Sequence, residues 1–142
     1  CGTNEGGSGR LAIMNFEGKV TVEAQANASG CGSINVGNEA GTLVWSAEGV
    51  RNAGSVMTLF TPSGRRSLMM GTRSEGGVIN IMNGAGNPVV IAGYADEGRG
   101  GAVSVKNGRG VQVFAAGSDA EDRGKISVWN EDGRKPRVIE PN

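Results

Sequence analysis

A glycine, an apolar-alternating run, a four-residue corner ending in glycine and a second apolar run recur six times along this chain. With Gly9, Gly32, Gly54, Gly77, Gly101 and Gly124 as anchors, the successive spacings are 23, 22, 23, 24 and 23 residues. So regular a period marks a repeat array, in which one short unit cannot bury its own apolar side and stacked copies share a continuous one. The six units fill residues 9–142 as a single repeat domain, behind a Gly-rich leader at residues 1–8 that is expected to be flexible.

Within a unit the first run alternates with period two, the mark of a strand covered on one side. The apolar pairs are Leu11 and Ile13, Ile34 and Val36, Val56 and Thr58, Ile79 and Ile81, Val103 and Val105, and Ile126 and Val128. The corners read NFEG, NEAG, TPSG, NGAG, NGRG and NEDG. Asn or Thr at the first position can accept backbone N–H groups further on, and Pro62 suits the second position, so each corner fits a type I turn closed by a left-handed glycine. The closing residues Gly18, Gly41, Gly64, Gly86, Gly110 and Gly133 should then have positive φ. The second run is less orderly. Val20 with Val22 and Leu43 with Trp45 keep one phase, whereas Val89 with Ile91 and Val111 with Val113 take the other. Either this strand is covered on both sides, or small bulges shift its phase from unit to unit. The connectors after it are rich in Ala, Gly, Ser and charge and read as surface corners. No helical period is sustained.

The expected fold class is all-β: six tandem strand-turn-strand repeats forming an elongated trimeric β-prism or a single-chain β-solenoid. An isolated hairpin is marginal in water, so the array needs either to wind on itself or to pack against copies of itself. The phrases GKISVWNEDGRKPRVI, GGVINIMNGAGNPVVIAG and GGAVSVKNGRGVQVFAAG resemble the tandem Gly-rich hairpin repeats of uncharacterised bacterial secreted and surface proteins. In architecture they are also similar to the trimeric β-fibres of phage tails and to curli-type repeats, without the curli Gln and Asn ladder. The resemblance implies a structural or adhesive role outside the cell and carries over no catalytic residue.

Composition narrows the chemistry. Fourteen Lys and Arg balance fourteen Asp and Glu, so no net field draws in nucleic acid or an anionic membrane surface. Three Phe, two Trp and one Tyr give few stacking platforms for sugars or single strands. Histidine is absent, and with it the commonest general base, the usual zinc ligand and every Ser-His or Cys-His nucleophile. No catalytic, metal or cofactor-binding residue is expected. The densest acidic cluster is Asp119, Glu121 and Asp122, with Asp96 and Glu97 one repeat earlier, and a corner with three acids could hold calcium. Arg123 and Arg99 follow at once, and a solvated charge ladder fits better. Met57, Met69, Met70 and Met82 read as apolar filling.

Two cysteines supply the remaining clue. A chain numbered from Cys1 with no initiator Met suggests a cleaved leader and export, to the cell surface or beyond it. Either Cys1 bonds Cys31, within a chain or between subunits, or Cys1 carries a lipid that is the protein's sole link to a membrane. The expected partner is the protein itself, as a trimer or polymer. The function expected first is a non-enzymatic structural protein that self-assembles into a fibre, filament or surface layer. The alternative is a trimeric adhesin or receptor-binding shaft with specificity in loops such as that containing Tyr94 and Arg99.

Overall fold

The structure, a computed structural model, describes residues 2, 3, 8–52, 54–73, 76–94, 100–118, 121, 123–134 and 136–140. Among them there is no helix, so none long and apolar enough to cross a membrane. The protein is all-β and built of tandem antiparallel strand-turn-strand repeats. It divides into two compact units, Cys1–Ser74 and Glu75–Asn142. The first contains β1 (Gly2–Thr3), β2 (Gly9–Met14), β3 (Val20–Ala26), β4 (Gly32–Gly37), β5 (Leu43–Val50), β6 (Gly54–Phe60) and β7 (Arg66–Arg73). The second contains β8 (Gly76–Met82), β9 (Pro88–Tyr94), β10 (Gly101–Lys106), β11 (Gln112–Ser118), β12 (Gly124–Val128) and β13 (Arg137–Ile139). In each unit every strand pairs antiparallel with the next in the chain. Gly2 and Thr3 of the leader join this meander opposite Arg10 and Gly9.

The corners explain why each hairpin turns where it does. At the first, Gly18 N–H donates to the Asn15 carbonyl at 3.0 Å, and Asn15 N–H donates to the Lys19 carbonyl at 2.9 Å. The Asn15 side-chain oxygen meanwhile accepts the N–H groups of Glu17 (3.1 Å) and Lys19 (2.9 Å). Asn38, Asn83, Asn107 and Asn130 repeat both roles, and in the third hairpin the Thr61 hydroxyl accepts from Arg65. The closing glycines Gly18, Gly41, Gly64, Gly86, Gly110 and Gly133 have φ between 73° and 84°, where a Cβ would be strained.

Register follows the same rule in each hairpin. The residue five before the closing glycine faces the residue four after it: Ile13–Val22, Val36–Trp45, Leu59–Leu68, Ile81–Val90, Val105–Phe114 and Val128–Arg137. In the first five a register shift follows directly and leaves Thr21, Val44, Ser67, Val89 and Val113 as the extra residue. The bulge therefore occupies one fixed place and does not shift the phase from unit to unit. Residues such as Ile91 and Ala115 are additional small or apolar groups on the opposite face.

The third hairpin departs from the expectation above. Gly54 lies ten residues before its closing glycine where the other anchors lie nine before theirs, so Ser55 holds the equivalent position. Met57 and Leu59, not Val56 and Thr58, match Leu11 and Ile13. Gly54 has φ 88° and Asn52 φ 61°, because this glycine serves the reversal between β5 and β6. The reversal between β3 and β4 also has the Asn-x-x-Gly form. Gly30 (φ 78°) donates to the Asn27 carbonyl, and the Asn27 side chain accepts from Ser29 and Cys31.

Candidate functional site

Alternation along the strands, combined with the register, sorts the side chains of one face of each unit into three rows. The row nearest the Asn-rich corners is large throughout: Ile13, Val22, Val36, Trp45, Leu59 and Leu68 in the first unit. In the second unit the equivalent row is Ile81, Val90, Val105, Phe114 and Val128, and it ends at Arg137. The middle row alternates. Leu11, Ala24, Ile34, Ala47 and Met57 stand side by side in the first unit before Met70, and Ile79, Ala92, Val103, Ala116 and Ile126 in the second before Ile139. The third row is small: Gly9, Ala26, Gly32, Gly49 and Ser55, then Gly101, Ser118 and Gly124, with Tyr94 as the large exception. Side-chain height thus falls from one end of the strands to the other.

Burial on this sheet is inverted from that of a globular domain. Among the described residues no hydrophobic side chain is buried, and the buried ones are Thr58, Asn80 and Ser127. All three hold the same place in their hairpins, six before the closing glycine, on the face opposite the three rows. There each stands beside one larger cross-strand neighbour, Thr58 beside Met69, Asn80 beside Ile91 and Ser127 beside Val138. The apolar residues on either side of them stay wet: Ile79 and Ile81 are each 42% exposed, and Ile126 and Val128 are 40% and 45% exposed. Full burial of such a side chain contributes roughly 1.5–3 kcal/mol, so each forgoes a large part of that while this face is bare. Ala24, Ile34, Ala47, Gly32 and Gly49 line a groove of about 470 Å³ where the middle row drops to alanine and the third row is small.

The corners form a second ordered feature. Asn15 Nδ2 donates 2.8 Å to the Glu39 carbonyl of the next corner, and Asn107 Nδ2 makes the same bond to Glu131. Arg109 reinforces the latter by donating to the Glu131 carbonyl at 2.8 Å and to Asp132 at 3.2 Å. On the opposite edge Asn27 reaches the Gly49 carbonyl and Arg51 the Ser29 carbonyl. One asparagine therefore caps its own turn with oxygen and ties it to the next with nitrogen.

The remaining sequence candidates do not converge. Cys31 is a half-buried free thiol next to Gly49, and Cys1 lies outside the described residues. Asp96, Glu97, Arg99, Asp119 and Asp122 also lie outside them. Glu121 accepts from Arg123 at 2.8 Å, an exposed ion pair, and among the described residues no three acidic, Cys or His groups could hold a metal. Met57 and Met70 sit in the middle apolar row, and Met69 stands on the opposite face. Sequence reasoning placed the apolar strands but missed the taper across them, whose signal is the coincidence of strand-start glycines with large residues four positions later. No protein-family model and no curated protein matches this chain.

Proposed function

We propose that this is a non-enzymatic structural protein whose apolar sheet face packs against other copies of the same chain, building a fibre, filament or surface layer. The observation that carries the reading is the half-exposed state of the two apolar rows, in a chain whose described residues include no buried hydrophobic group. A meander this regular has its backbone bonds satisfied and its turns capped, yet lacks the apolar burial that normally offsets chain entropy. Covering that face supplies it. Arg137, at the end of the high row of the second unit, is the one charge in the middle and high rows, so over the rest of each row a neighbour with the same rows meets no ion. The resemblance of the repeat to secreted and surface repeats supports an extracellular setting.

Mass photometry and negative-stain imaging of the purified chain test the proposal. The expected result is discrete or extended homo-oligomers that dissociate and unfold together. A well-folded monomer at micromolar concentration overturns it.

A further inference from the structure

The taper of the apolar face says more than that it is covered. Resting on the self-assembly reading above, we infer that three copies close around a threefold axis. Within a unit, the alternating middle row of each copy lies along that axis, and the high row of each copy seats on the glycine row of its neighbour.

The strand-start glycines carry the first part of the argument. Gly9, Gly32, Gly101 and Gly124 are absent from the positive-φ residues, so no backbone conformation demands glycine there. Space within the chain does not demand it either. A Cβ at Gly9, Gly32 or Gly124 meets nothing within 4 Å, and one at Gly101 meets a single carbonyl oxygen at 3.5 Å. Glycine in a strand costs stability relative to a residue with a side chain, so its recurrence calls for a reason outside the chain. All four stand in the low row, four residues along the strand from the high-row residues Ile13, Val36, Val105 and Val128. A neighbour's high row fits the room they leave.

Geometry then selects the number of copies. Strands of six or seven residues are about 20–23 Å long, and three of them as the sides of a triangle put each midpoint about 6–7 Å from the axis. That is close to the reach of an Ile or Met side chain. Three large residues at every strand level, spaced about 4.8 Å, would overfill such an axis, and the alanines Ala24, Ala47, Ala92 and Ala116 relieve alternate levels. At each corner of the triangle the high end of one sheet meets the low end of the next, a head-to-tail contact that closes as a ring. A two-sheet sandwich fits less well. At a spacing of about 10 Å, a twofold axis along the rows sets Ala47 over Ala47 and leaves a void, and one along the strands sets the high row on itself.

Engineered disulfides test the arrangement. In a Cys1→Ser, Cys31→Ser background, Gly32→Cys and Val36→Cys are introduced together, and Gly101→Cys with Val105→Cys forms an independent second variant. Four residues of strand hold the two cysteines of one chain about 13 Å apart, too far to bond each other, so any disulfide joins two copies. After oxidation to completion by thiol titration, non-reducing electrophoresis is expected to end at a covalent trimer for both variants. A terminal covalent dimer overturns the threefold arrangement and leaves self-assembly standing, as does a ladder beyond the trimer. Absence of any cross-link in material that mass photometry shows to be oligomeric overturns it too. Material that is monomeric before oxidation overturns the self-assembly reading itself.

Discussion

Neighbouring residues on β8 have opposite fates: Asn80 is 8% exposed and Ile81 42% exposed. Strand geometry sends them to opposite faces, and the polar one is covered while the apolar one is wet. Water alone would not select such a sheet, because the transfer free energy of each side chain has the wrong sign for where it sits. One face thus covers its polar residue within the chain, whereas the apolar rows of the other stay half-exposed, the state that the proposed self-assembly would relieve. Ile81→Asp breaks this comparison most directly. If the face is covered by another copy, the variant buries an unpaired carboxylate, at a cost of several kcal/mol per copy. The expected outcome is loss of the oligomer in mass photometry and loss of the cooperative melt in circular dichroism. An unchanged oligomer and melting profile would mean that this face meets water in the working molecule.

Ala47→Phe sharpens the same contrast with a change that adds no polarity. Within the chain, Ala47 borders the 470 Å³ groove, so a larger side chain has room. Against a second copy it overfills a level of the stack, which typically costs 1–3 kcal/mol per site. Oligomer dissociation is expected at about tenfold higher protein concentration than for the parent, read by sedimentation across a dilution series. A stabilised, equally associated variant would place the alanine row away from any neighbour.

Much of this molecule could be read from its residues, because each hairpin is specified locally. Asn at the first corner position and Gly at the fourth determine the turn, and the turn determines the register of the strands it joins. That is why Leu11 with Ile13 and Ile126 with Val128 share a face as the alternation predicts. The third hairpin escaped because two glycine roles look alike in a sequence: Gly54 serves a reversal, while Ser55 begins the strand phase. The corner at Asn27–Gly30 falls among the connectors, although its Asn-x-x-Gly spacing is that of the others. The taper of the apolar face is a property of cross-strand neighbours far apart in the chain. It becomes visible only once the bulge at Thr21 and its equivalents fixes which residues stand side by side.

The turn glycines give a smaller effect and separate strain from crowding. A Cβ at Gly86 meets nothing within 4 Å, so Gly86→Ala carries only the left-handed backbone penalty, about 1–2 kcal/mol. At Gly133 a Cβ would also come within 2.7 Å of Val111 Cγ1, so Gly133→Ala is expected to lose more. Urea titration at one fixed protein concentration compares the two. Equal losses would show that Val111 moves aside freely, and the edge joining these corners would then be looser than its face.

The smallest effect is expected from removing one of the two tasks of a single side chain. Asn107 accepts from Arg109 N–H at 3.0 Å and Val111 N–H at 3.1 Å through its oxygen, and donates to the Glu131 carbonyl at 2.8 Å through its nitrogen. Asn107→Asp keeps the acceptors and removes the donor, whereas Asn107→Ala removes both. A typical hydrogen bond contributes about 0.5–1.5 kcal/mol, so the aspartate variant should lose about one such increment and the alanine variant two or three. Arg109, which also donates to Glu131, keeps the two corners together and holds the first loss to the lower end. Urea midpoints of the two variants against the parent give the ranking. Identical losses would place the whole contribution of Asn107 in the bond to Glu131, making the edge depend on ties between repeats, while no loss for aspartate would confine it to the turn. The two faces differ in how far the chain alone covers them, and this pair of variants asks the same question of the corners: whether each hairpin is finished alone or only by the next.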